Sequence, residues 1–176
     1  ANGVAQSIWS MAALVCVVMG PVFITVIGQC MGAGDISGAE LYFKKLMKIT
    51  VMFALAWNGL IFAVTPVIMH FYVLSEETKH LVILLVLVHN AFNALAFPFA
   101  DPLGKGLRAT GDVKFTTAIS LFTTTGIRLV FSIWFGVVLN LGVMGIAYAM
   151  CLDWVIRGVI FWVRFKRGKW KQFKVI

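Results

Sequence analysis

Charge is scarce in this sequence, and acid is scarcer than base: seven Asp and Glu stand against fifteen Lys and Arg in 176 residues. Charged residues make up 12% of the chain, roughly half the share usual in soluble domains, and mean hydropathy is +0.94. That shortage excludes a water-soluble fold and points to an integral membrane protein. Cysteine is nearly absent too. Cys16, Cys30 and Cys151 have no paired or metal-like spacing, which leaves neither a disulfide framework nor a thiolate metal centre, and they read as small apolar packing residues. No basic segment precedes the first apolar run, which argues against reading it as a signal peptide. No nucleophile has a paired base, and "GAGD" lacks the preceding strand of a dinucleotide site. An enzyme, a cofactor and a bound metal are therefore not expected.

What the chain does contain is long charge-free tracts, from Ala1 to Gly34, Ile49 to Ser75, His80 to Ala100, Phe115 to Ile127 and Leu129 to Leu152. About 20 apolar residues cross a bilayer as a helix. The tracts predict an all-α polytopic protein with five spans, at Val4 to Gln29, Ile49 to Tyr72, His80 to Ala100, Phe115 to Leu139 and Val143 to Val163. Together they form one transmembrane domain over residues 1–176, closed by a basic tail at 164–176. "NLG" is the tight turn between the last two spans.

The net charge of +8 does not imply nucleic acid, because the bases are ordered by topology. Outside the spans, three Lys/Arg follow the first span, one the second, three the third and none the fourth, with six in the tail from Arg164 to Lys174. The positive-inside rule then expects an outside N-terminus and a cytoplasmic tail. "RFKRGKWKQFKVI" interleaves these bases with Trp170 and Phe173, the composition of an interfacial anchor.

Two loops share a pattern: "GQCMGAGD" closes the first span and "GLRATGD" the third. Gly permits the reversal, and Asp35 or Asp112 is placed to cap the next helix. "SGAE", Ser37 to Glu40, reads as a capping box that starts an amphipathic lead-in to the second span. Prolines predict irregular helix at Gly20-Pro21, at Pro66, and at Pro98 with Pro102.

The polar residues inside the spans carry the functional question. Counted inward from the outer span ends at about 1.5 Å per residue, His89, Arg128 and Asp153 all lie about 13 to 17 Å deep, near the bilayer midplane. On the fourth span Thr117, Ser120, Thr124, Arg128 and Ser132 share an arc of about 120°. On the fifth, Gly145, Ala149, Asp153 and Arg157 recur every four residues, and the two small residues allow close helix approach. These angles predict that Asp153 pairs with Arg128, with Arg157 sharing the carboxylate or snorkelling away. His89, with Asn90 and Asn93, is expected to line a wet cavity.

"GQCMGAGD", "LRATGDVKF" and "LGVMGIAYAMCLDWVIRGVIFWVRFKRGKWK", in this order at these span ends, resemble the multidrug and toxic compound extrusion (MATE) family. The likeness covers nearly the whole chain. That family builds a transporter from two six-helix lobes, and this chain is similar to the last five helices of the C-terminal lobe; a first lobe and one further helix would precede it. The resemblance implies a secondary active antiporter of the plasma membrane that exports small organic cations or drugs in exchange for Na+ or H+, its partners being the bilayer, those cations and the missing N-terminal lobe. Many members carry an acid on the third span, where "NALAFPF" here has Phe97. The candidate pathway residues are thus His89, Asn93, Asp101, Arg128, Asp153 and Arg157. Two other functions fit the same composition: a lipid-linked oligosaccharide flippase of the same superfamily, which needs a basic cavity that Arg128 and Arg157 would supply, and a non-transporting membrane subunit.

Overall fold

A computed structural model describes residues 2–71 and 75–173. Tyr72, the expected end of the second span, and Lys174, the last base of the tail, lie outside the described residues. The chain folds as helices α1 (Asn2–Ala12), α2 (Leu14–Gly32), α3 (Ile36–His70), α4 (Glu76–Leu95), α5 (Phe97–Ala100), α6 (Pro102–Ala109), α7 (Val113–Leu121), α8 (Leu129–Ile133) and α9 (Gly142–Lys166). Five helical stretches are long and apolar enough to cross a membrane. They are α2, α3, α4, the run Val113–Val138 and α9.

The helix breaks fall only partly where proline predicts them. Pro21 and Pro66 lie inside α2 and α3. The first span is interrupted instead at Ala13, where ψ flattens to −13°. Pro98 and Pro102 do divide the third span. Neither has an N–H to continue the ladder, so α4 gives way to the short α5 at Ala96 and to α6 at Asp101.

The run Val113–Val138 departs from a straight α-helix. Residues Phe122–Arg128 and Trp134–Val138 are π-helical, on either side of α8. A π turn takes more residues than the 3.6 of an α turn, so each residue advances by a smaller angle and later side chains are re-aimed.

Both Gly-Asp loops turn on a glycine with positive φ, Gly34 at 73° and Gly111 at 95°. Asp35 caps α3 as expected, accepting from the Gly38 N–H at 2.8 Å. Ser37 is not the cap of a capping box: its hydroxyl donates to Asp35 Oδ1, and Glu40 is taken by Lys44 and Lys171. Helix α3 has 35 residues, a length of about 52 Å against a hydrocarbon core of about 30 Å. Its amphipathic first turns therefore protrude from the membrane at the end that carries most of the bases.

That basic end holds a core cluster in which Phe23, Ile27, Phe43, Leu107, Phe161 and Phe165 are buried together. Trp170 belongs to it. Far from being an interfacial anchor, it is fully buried, stacked 5.8 Å from Phe165, and donates from Nε1 to the Phe165 carbonyl at 3.1 Å. Gly168, at φ 66°, reverses the chain after α9 so that the turn Lys169–Gln172 folds back on the bundle. The basic tail is thus packed on the bundle through Trp170, because an indole with its N–H satisfied is better packed than exposed.

The "NLG" turn is present, with positive φ at Asn140 and Gly142. It sets Val113–Val138 antiparallel to α9 at very close range: a Cβ on Gly145 would stand 2.5 Å from the Gly136 nitrogen and the Phe135 carbonyl carbon. The small-residue face predicted on α9 is a true contact surface, and Ala149 on it is fully buried. The rest of Val113–Val138 is mostly exposed, including Leu121, Leu129, Val130 and Val137.

Candidate functional site

Helix α4 threads between α1, α3 and α9, and its inward face carries the polar groups. His89, Asn90 and Asn93 are all buried, and Asn58 of α3 is buried beside them. The Asn90 amide nitrogen donates to the Asn58 backbone carbonyl at 3.4 Å, and Asn58 Nδ2 donates to the carbonyls of Ala54 and, across the helix contact, Ala12. Asn58 carries no signal in sequence beyond being an amide within an apolar tract.

His89 is buried between aromatic rings. It is 6% exposed, with the rings of Trp9 and Trp154 at centroid distances of 6.4 and 6.3 Å. Its Nδ1 lies 2.9 Å from the Leu85 carbonyl, so in the neutral ring Nδ1 carries the proton and Nε2 is a bare acceptor. Trp9 and Trp154, stacked on each other at 5.7 Å, were missed by sequence reasoning because an aromatic in a span is usually only packing.

Asp153, on α9 next to Trp154, is fully buried. Its partner is not Arg128. Arg157, one turn on along the same helix, donates from its terminal nitrogen to Asp153 Oδ2 at 2.5 Å. Arg128 does sit on a π-helical stretch that lies against α9. It forms no ion pair among the described residues. The expected pairing assumed 100° per residue along the fourth span, and the π turn before Arg128 breaks that assumption.

Several buried polar atoms here have no hydrogen-bond partner within the described residues: Asp153 Oδ1, His89 Nε2, the side-chain oxygens of Asn58, Asn90 and Asn93, and, as donors, Asn93 Nδ2, Arg157 Nε and Trp9 Nε1. Acceptors outnumber donors. A buried polar atom without a partner costs about 1 to 3 kcal/mol, so this concentration is expensive for a merely structural interface. An excess of oxygen and imidazole acceptors suits a proton or a hard cation.

Asp101, the remaining candidate, stands apart at the joint between α5 and α6. Its carboxylate takes Lys105 at 2.8 Å and is partly exposed. The Lys105 side chain lies in the notch left by Gly20 of α2, where a Cβ would meet it at 2.5 Å. The structure thus brings His89 and Asn93 together on α4 and Asp153 with Arg157 on α9, and it separates Asp101 and Arg128 from direct bonding to them.

A second buried acid, Asp112, lies at the basic end. Its side chain makes no capping bond to α7, contrary to the sequence reading. Instead it holds Arg164 of α9 through two bonds, Nε to Oδ2 at 2.7 Å and a terminal nitrogen to Oδ1 at 3.1 Å. The guanidinium also lies 4.3 Å over the Phe115 ring.

Apolar helices spanning a bilayer's thickness, with a buried acid and unpartnered polar atoms midway along them, describe a polytopic membrane protein. The MatE family profile matches residues 1–134, and the chain belongs to that family. Its members are transporters, not enzymes. The match stops short of α9, so Asp153 and Arg157 lie beyond it. No solved structure matches the chain.

Proposed function

We propose that the chain is part of a secondary active antiporter of the plasma membrane that exports small organic cations in exchange for Na+ or H+, and that the buried acceptors around Asp153, His89 and Asn93 receive the coupling cation. The order of Lys and Arg supports a cytoplasmic placement of the basic end and the C-terminus. The observation that carries this reading is the half-satisfied carboxylate: Asp153 is fully buried, yet only one of its oxygens is bonded. A cation arriving at Oδ1 would compete with Arg157 for the acid. Such a charge biases a two-state carrier by its differential affinity for the two states.

The test is efflux of a fluorescent organic cation from proteoliposomes holding the intact transporter, driven by an imposed Na+ or pH gradient. Asp153→Asn keeps the shape and removes the charge. It is expected to cut gradient-driven efflux by about 10-fold or more, as loss of a coupling of typical size would. Efflux that follows the gradient unchanged in this variant would reject the reading.

A further inference from the structure

An apolar groove of about 710 Å³ runs along the bundle between α4, α5 and α9, floored by residues such as Phe92, Leu95, Val155 and Val159. Toward the basic end it continues into a second hollow of about 340 Å³, the two sharing Phe99 and Trp162 as walls. The second hollow has a different rim: Lys44 and Lys48, on the protruding part of α3. Lys166, outside the hollow's own lining, holds its ammonium 5.0 Å over the ring of Trp162, which is a wall of both hollows. Lys44 is engaged by Glu40 at 2.7 Å, whereas Lys48 and Lys166 have no acid partner among the described residues.

From Trp154 to Phe165 the groove follows twelve residues of α9, about 16 Å of helix. That is close to the hydrocarbon depth of one leaflet, about 15 Å. An occupant that matches it is apolar for one leaflet's depth and anionic at the end where the lysines stand. A second protein helix would match the apolar part but would make no use of the two exposed lysines at its end.

We infer that this groove is a binding site for one anionic phospholipid of the leaflet at the basic end, with its phosphate at Lys48 and Lys166 and an acyl chain along Leu95, Val155 and Val159. Basic pockets between membrane helices recognise lipid headgroups in this manner. The inference is independent of the coupling ion and of the substrate.

The experiment is native mass spectrometry of the intact transporter released from nanodiscs of equimolar phosphatidylglycerol and phosphatidylcholine. The expected result is one retained lipid per chain, phosphatidylglycerol favoured about 10-fold. Lys48→Ala combined with Lys166→Ala is expected to bring that preference close to parity, and Val159→Trp to abolish retention of both lipids. Should the double variant fail to fold, raising the ionic strength on the unaltered protein tests the same headgroup contact and is expected to erase the preference. Equal retention of the two lipids by the unaltered protein would overturn the inference. So would a preference that survives in the double variant or at high salt, or a Val159→Cys cross-link to protein in place of lipid.

Discussion

Asp112 and Asp153 are both buried, and both are answered by an arginine of α9, yet the two pairs are built differently. Arg164 reaches Asp112 across 52 positions of sequence, spends two nitrogens on two oxygens, and rests on an aromatic face. Arg157 comes from the same helix as Asp153 and spends one nitrogen, leaving its own Nε and the acid's Oδ1 without partners. The first pair ties the third-span loop to α9 and engages both of the acid's oxygens. The second ties α9 only to itself and has capacity to spare. A saturated long-range pair suits a fixed joint, and a half-used local pair suits a group that must change partners.

That contrast can be broken most severely at the saturated pair. Asp112→Ala strands a largely buried guanidinium and should cost about 3 kcal/mol, read as a lower unfolding midpoint in detergent and loss of folded protein. In the other pair Asp153→Asn, which keeps the side chain's shape and an acceptor for Arg157, should lower that midpoint by much less.

Next in size is the close contact that holds α9 against the fourth span. Gly145→Ala drives a Cβ into the backbone of Phe135 and Gly136 and should cost about 2 kcal/mol. The same substitution at Gly28, where nothing lies within 4 Å of the added carbon, should cost far less, since it removes only glycine's backbone freedom.

A smaller effect sharpens the second pair. In a double-mutant cycle on stability, Arg157→Ala with Asp153→Ala should show coupling of about 1 kcal/mol or more. Arg128→Ala with Asp153→Ala should be additive to within about 0.5 kcal/mol, because those two side chains form no ion pair.

The failure of the Arg128 pairing shows what one sequence reveals about such a site. Counting residues from span ends placed an acid, a histidine and an arginine at one level, and the His89 ring does lie beside Trp154, the neighbour of Asp153. Azimuth was not legible, since it presumes a regular helix and the fourth span winds through two π stretches. The five spans were legible because a charge-free tract can bury its backbone polar groups in lipid only as helix. The break at Ala13 was hidden, as alanine carries no helix-breaking chemistry. Trp170 and Asp112 were misread for one reason: short-range grammar assigned an anchor and a cap, while partners on Phe165 and Arg164 offered more complete bonding.

The smallest predicted effect lies outside the membrane. Hydrogen bonds from the Gly38 N–H and then the Ser37 hydroxyl hold the Asp35 carboxyl below its ordinary range. Its stabilising contribution is present above about pH 4, the usual carboxylate range, and is lost as pH falls through the lowered value. Asp35→Ala should therefore slightly reduce stability at pH 7 and erase that slope below about pH 4, as followed by thermal unfolding against pH.

Infrared difference spectroscopy of the intact transporter, recorded as Na+ or pH is stepped, reads the carboxylates themselves. The account predicts a carboxyl band that shifts with the coupling cation, disappears in Asp153→Asn and persists in Asp112→Asn. A cation-dependent band that survives in Asp153→Asn, or vanishes only in Asp112→Asn, would contradict it.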